Sequence, residues 1–181
     1  MSQTHGQDMS IDRIKLFTIS LLLLQGLDLG VGGEAQAAGG LPPGLNLPPS
    51  VCRSIGKITN TTGIDFGSLS VDAAGTVVID TNDVRTTTGG VLPFVSLSHA
   101  ARFDVAGCGD YAYNIVLPDT IILSSASSSM SMNNFVSQPA TTGVLDATGN
   151  QELVVGATLN VGVSQAAGSY SGSFIVEVVF Q

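Results

Sequence analysis

His99, in LSHAARF, is the only histidine beyond residue 5, and it bounds the chemistry this sequence can do. A serine or cysteine nucleophile needs a base beside it, oriented by a third group. No such arrangement is visible around His99, which reads as a surface or satisfied residue. Acids are more numerous, and paired carboxylates are what glycoside hydrolysis requires. They are scattered, however, and only Asp80, Asp83, Asp104 and Asp110 suggest a cation site. Asp80-Thr81-Asn82-Asp83 lacks EF-hand spacing. Asp and Asn also fold their side chains onto nearby backbone, so the same four residues read as a turn. No GxxxxGK[ST] phosphate loop is present, and Asn60-Thr61-Thr62 is a glycosylation sequon of a kind common by chance. With no tryptophan, and with its aromatics on presumed core faces, the chain offers no stacking platform for sugars or bases. The expectation is a protein that is not an enzyme and holds neither metal nor cofactor.

Charge narrows the partners further. The net charge is −8, and beyond residue 37 the basic residues are only Arg53, Lys57, Arg85 and Arg102. Nucleic acid and anionic lipid are therefore poor partners. Residues 1–37 have the three regions of a secretory signal. Arg13 and Lys15 supply the basic region, Leu16 to Leu24 an apolar run too short to span a bilayer, and Ala35-Gln36-Ala37 a small-x-small cleavage site. A retained anchor or a buried N-terminal helix are the alternatives. Cleavage would leave residues 38–181, the size of one domain with a real core and no membrane span. An exported chain carrying only Cys52 and Cys108 most simply forms one disulfide, with two free thiols as the alternative.

The elements that would position these residues are short strands. ARFDVAG (101–107) and QELVVGATLNV (151–161) alternate apolar and polar residues, TVVID (76–80) is apolar and β-branched, and RSIGKIT (53–59), GIDFGSLSV (63–71) and VLPFVSL (91–97), the last with Pro93 at an edge or bulge, are further candidates. TNDVRTTTGG (81–90) reads as a loop, with Gly89-Gly90 as a turn signal, and the serine-rich SSASSSMSMNNFVSQP (124–139) reads as a loop joined to a short strand near Met132 to Val136. No window shows a helical period, so the pattern predicts an all-β sandwich.

Both ends of the region beyond residue 37 have a distinct character. Residues 38–51, AGGLPPGLNLPPSV, form an extended arm with Leu41, Leu45, Leu47 and Val51 on one side, and its four prolines remove ladder donors. At the other end Tyr170, Phe174, Val176, Val178 and Phe180 share the apolar face of a predicted closing strand. Domain boundaries follow as signal 1–37, arm 38–51 and β-sandwich 52–181.

IDFGSLSV, RTTTGGV, ARFDVAG, YNIVLP and GATLNVGVSQAAGSYSGSFIVEVVF, in that order, resemble the secreted bacterial family catalogued as domain of unknown function 4402. The resemblance runs from about Ile58 to the C-terminus, and that family name implies no function. The signal, the size, the cysteine pair and the alternating end at Phe180-Gln181 also resemble fimbrial (pilin) subunits of the chaperone–usher type. That second resemblance implies an immunoglobulin-like antiparallel β-sandwich lacking one strand, which a neighbour's N-terminal extension donates. Carried over, the donor arm is Leu41, Leu45, Leu47 and Val51, and the acceptor edge is Tyr170, Phe174, Val176, Val178 and Phe180. Burying four such anchors stabilises by on the order of 6–12 kcal/mol before ordering costs. The implied partners are further copies of the chain, head to tail, with a periplasmic chaperone and an outer-membrane usher, at the surface of a Gram-negative-type bacterium. A monomeric secreted module binding carbohydrate or a surface receptor is the alternative expectation.

Overall fold

The computed structural model describes residues 10–11, 14–16, 51–52 and 55–181. Along these residues run β1 (Ser10–Ile11), β2 (Ile14–Leu16), β3 (Lys57–Thr62), β4 (Leu69–Ile79), β5 (Arg85–Pro93), β6 (Ala101–Ala106) and β7 (Ala112–Val116). They are followed by β8 (Thr120–Ser124), β9 (Ser129–Gln138), β10 (Thr142–Val144), β11 (Asn150–Val161), β12 (Tyr170–Gly172) and β13 (Glu177–Phe180). The fold is all-β.

The longest strand, β11, organises the molecule. Its alternating residues Leu153, Val155, Ala157, Leu159 and Val161 are all buried, as is Val154. One edge of β11 pairs antiparallel with β6 through residues 150–155 and with β4 through residues 157–161. The other edge pairs with β9, with a register shift between Gly156 and Thr158. Gly156 fits this shift because a Cβ there would run into the Ile79 carbonyl of β4. The result is an open, curled sheet in the order β5–β4–β11–β9–β8–β12, with β6 and then β3 continuing beside the first half of β11.

A smaller sheet, β10–β7–β13, packs against it. Tyr113 from β7 reaches into the shared core, where its hydroxyl donates to Gln151 Oε1 at 2.9 Å, and its ring lies 5.7 Å from that of Phe180. The core joins residues of both sheets into one apolar cluster that includes Phe66, Val77, Phe103, Tyr113, Leu153 and Phe174. Arg102 and Asp104 stay on the outer side of β6, where Arg102 pairs with Asp83 at 2.6 Å and Glu152 at 3.1 Å.

Five local expectations give way. Of the candidate strand RSIGKIT, residues 57–59 open β3 but Ile55 is helical, as are Val51 and Cys52, and residues 53–54 lie outside the described residues. Residues 85–93 form β5 rather than a loop, because Thr86, Thr87 and Thr88 are β-branched and pair with Val78, Val77 and Thr76. Gly89-Gly90 marks a bulge, not a turn: the register jumps from Val71↔Val91 to Gly75↔Gly89, with Gly89 at φ +69. Ser-rich residues 129–131 open β9, and the loop before it is only the tight turn at Ser125–Ser128, closed by Ser125 N–H donating to Ser128 O at 2.8 Å. The predicted closing strand is two strands in two sheets. β12 adds to β8, β13 adds to β7, and residues 173–176 cross between the layers. Phe174 anchors that crossing against Phe103 and Phe135.

Candidate functional site

Residues that suggested chemistry have structural work. His99 forms an isolated bridge with Asp65 through paired backbone hydrogen bonds of 2.9 Å, and its ring Nδ1 lies 3.3 Å from the Ala100 carbonyl. The Asp80 carboxylate accepts from Asn82 N–H at 2.8 Å and Val84 N–H at 2.9 Å, closing the β4–β5 hairpin. Those backbone donors, Val84 first, hold its pKa below the ordinary carboxylate value. Burial pushes Asp83 upward, but the Ala100 N–H and Arg102 outweigh it and leave the group lowered. Among the described residues no three His, Cys, Asp or Glu side chains group to hold a metal ion. The sequon residue Asn60 is half-buried, and its amide donates to the carbonyls of Thr62 and Arg102.

An open depression of about 540 Å³ lies over β3, β6 and β11, lined by Lys57, Thr59, Asp104, Asp146, Asn150 and Glu152. Asp104, Asp146 and Glu152 are exposed, and no nucleophile–base pair lines it. The Asp146 carboxylate is already engaged by the Thr148 hydroxyl and the N–H groups of Thr148 and Asn150.

Cys52 and Cys108 form a disulfide with a Cα–Cα distance of 5.4 Å. The bond ties the helical turn at Val51–Cys52 to the end of β6. Of the arm residues, Leu41, Leu45 and Leu47 lie outside the described residues. Val51 is exposed and helical rather than extended. Of the proposed acceptor residues, Tyr170, Phe174 and Val176 are buried, and Val178 and Phe180 are half-buried against the core. They do not make one edge. Tyr170 lies in β12, Val178 and Phe180 lie in β13, and Phe174 and Val176 belong to the crossing.

A more definite strand-accepting place lies elsewhere in the sheet. The first residues of β4 project beyond the end of β11, so their edge away from β5 is not covered by β11. That edge is met by β1, with Ser10 opposite Ser70 and Ile11 opposite Leu69, antiparallel. On the far side, β12 meets β8 on one edge and β2 on the other, with Ile14, Lys15 and Leu16 parallel to Tyr170, Ser171 and Gly172. One short stretch of chain, remote in sequence from the domain, thus contributes strand residues to the β4 and β12 edges of the curled sheet. Sequence alternation identifies the wall at Tyr170–Gly172 but not its partner wall, because residue parity says nothing about where one strand outruns its neighbour.

Another feature escapes the alternation pattern. At the end of β5 and just beyond it the chain presents Leu92, Phe94, Val95 and Leu97 to solvent, with Leu97 88% exposed. This segment is fastened by its polar groups. Phe94 N–H donates to Ser68 O at 3.0 Å, Ser68 N–H to Ser96 Oγ at 2.9 Å, and Arg85 Nη2 to Phe94 O at 2.7 Å. The apolar run VLPFVSL reads as a strand throughout, with Pro93 pushing it toward an edge or bulge, but strand pairing ends at Pro93.

Fold and site together define an all-β domain of two packed sheets, with a disulfide and an incomplete main sheet. The chain belongs to the family described as Domain of unknown function (DUF4402), whose model matches residues 57–180. No curated protein and no solved structure matches it.

Proposed function

We propose that the chain is an exported structural subunit that polymerises head to tail, with the arm at residues 38–50 completing the open sheet of a neighbouring copy. The observation that supports this reading is the gap between β4 and β12, whose two edges take up strand residues 10–11 and 14–16. Residues 1–37 have the form of a cleavable leader, and their loss leaves both edges bare. Bare backbone donors and acceptors flanking an apolar core template association with another chain. Strand addition from a second copy satisfies them and lets alternate side chains enter the core.

The completed unit is an immunoglobulin-like sandwich, and the contact is heterologous, so it extends into a filament instead of closing on itself. Before assembly the same gap needs a temporary cover, which is the task of a periplasmic chaperone working with an outer-membrane usher. Negative-stain microscopy of the exported product tests the proposal. Regular fibres, lost when residues 38–50 are deleted, are the expected result. Monodisperse small particles from the intact exported chain would refute it and favour a monomeric binding module.

A further inference from the structure

We infer that the donated arm enters its neighbour doubled back on itself, with Gly40-Leu41 pairing along β4, Leu45-Asn46-Leu47 pairing along β12, and Pro42-Pro43-Gly44 making the reversal; the inference rests on the subunit reading above. The strand directions around the curled sheet point to it. The pairs β4–β11, β11–β9, β9–β8 and β8–β12 are all antiparallel, so β12 runs in the same direction as β4. β1 is antiparallel to β4, whereas β2 is parallel to β12. The two short strands therefore travel in opposite directions, and the chain reverses between Ile11 and Ile14. A straight strand between two edges of shared direction is parallel to both or antiparallel to both. This gap instead takes a chain that turns back, one leg to each edge.

The paired residues of the leader display what the gap accepts. Ser10-Ile11 is a small residue followed by an apolar one, and Ile14-Lys15-Leu16 is apolar, polar, apolar. The arm repeats this as Gly40-Leu41 and Leu45-Asn46-Leu47, with three connecting residues in place of two. In that register none of the four arm prolines occupies a paired position. Pro42 and Pro43 lie in the connection, and Pro48 and Pro49 lie beyond Leu47, so no ladder donor is lost between them. Pro43-Gly44 has the signature of the central pair of a type II turn, proline presetting φ and glycine supplying φ > 0. Turns of that type splay the strands they join, which suits legs that pair with separate edges.

The occupant is the arm of a second copy. Residues opposite one another in a ladder share a face of the sheet. Leu69 and Tyr170 are buried, so Leu41 opposite Leu69 and Leu45 opposite Tyr170 turn into the acceptor's core. Gly40 and Asn46, opposite Ser70 and the exposed Ser171, stay on the outer face.

The test uses the full chain expressed with export and reads intermolecular disulfides on non-reducing gels. Antiparallel pairing along β4 sets Gly40 beside Ser70, so Gly40→Cys/Ser70→Cys should give a ladder. Parallel pairing along β12 continues from Leu47 opposite Gly172 to Pro48 opposite Ser173. Pro48→Cys/Ser173→Cys should therefore give a ladder, and Pro48→Cys/Ser169→Cys should not, because four residues of strand, about 13 Å, would separate that pair. Replacing the reversal with strand-forming residues, Pro42→Thr/Pro43→Val/Gly44→Thr, should lower fibre yield by about tenfold or more while the unassembled subunit keeps its melting temperature. A ladder from the Ser169 pair, the absence of either expected ladder, or undiminished yield from the triple variant would overturn this inference and leave arm insertion standing. If wild type itself forms no fibres, or if the expected disulfides close within single chains, both fall.

Discussion

Replacing Phe174 with alanine empties the point where the chain crosses from one sheet to the other. The side chain is 3% exposed, and its ring centroid lies 6.4 Å from that of Phe103 and 5.2 Å from that of Phe135. Truncating a buried phenylalanine costs about 3–5 kcal/mol, through lost transfer free energy and the cavity left behind. Within that total each aromatic pair contributes roughly 0.5–1.5 kcal/mol. For a urea m-value of about 2 kcal/mol per molar, the midpoint should fall by roughly 2 M. Far-UV circular dichroism or tyrosine fluorescence follows the transition, the latter without interference because the chain has no tryptophan. A Phe174→Ala/Phe135→Ala double-mutant cycle should return a coupling of about 0.5–1.5 kcal/mol. A midpoint shift below about 0.5 M at unchanged m would mean that Phe174 is not held between the layers, and the described crossing would be wrong.

Opening the Cys52–Cys108 disulfide by Cys→Ala at both positions should cost about 4 kcal/mol in the chain-entropy model, for a separation of 56 residues; denaturant melts of the two proteins give the difference directly. Gly156→Ala should destabilise by more than about 1 kcal/mol, because its Cβ would collide with the Ile79 carbonyl across the β4–β11 pair, and thermal melts report it. At low pH, the lowered pKa of Asp83 makes its contribution fully present above the unfolded value of about 3.9 and lost as pH falls through the folded value. Asp83→Asn should flatten that acid limb in urea melts run from pH 5 downward. At high pH, burial pushes Tyr113 up to about 12, so stability should decline as pH rises from about 10 through 12. Tyr113→Phe should remove this decline while losing the hydrogen bond to Gln151.

Local alternation carried much of the fold into view. Leu153, Val155, Ala157, Leu159 and Val161 are all buried, and Phe103 and Val105 point inward while Asp104 points out. Parity of this kind is a property of one strand and is enforced by a half-buried sheet. What it cannot report is membership of a sheet. Tyr170 and Phe180 have the parity of one continuous strand, yet β12 and β13 belong to different layers because Phe174 turns the chain inward between them. Gly89-Gly90 misleads for a related reason. Two glycines signal a turn when nothing else is known, but here they let β4 and β5 stay paired across a bulge, where a Cβ on Gly90 would strike Ala73. Of the candidate site, one wall was legible as an apolar face at the C-terminal end. The other wall, at Leu69–Ser70, arises from the unequal lengths of β4 and β11, which only the assembled sheet displays.

The clamp between Cys52 and Cys108 also decides how the molecule answers to mechanical pulling. Force applied to the chain ahead of Cys52 passes straight to the end of β6 without first peeling away β3, β4 or β5. The enclosed chain spans 56 residues, so at about 3.4 Å per residue the intact bond withholds roughly 190 Å of extension. Single molecules stretched between their ends should lengthen by that additional amount on unfolding only after reduction. Under tension the domain is thereby less extensible in oxidising surroundings than where thiols are regenerated.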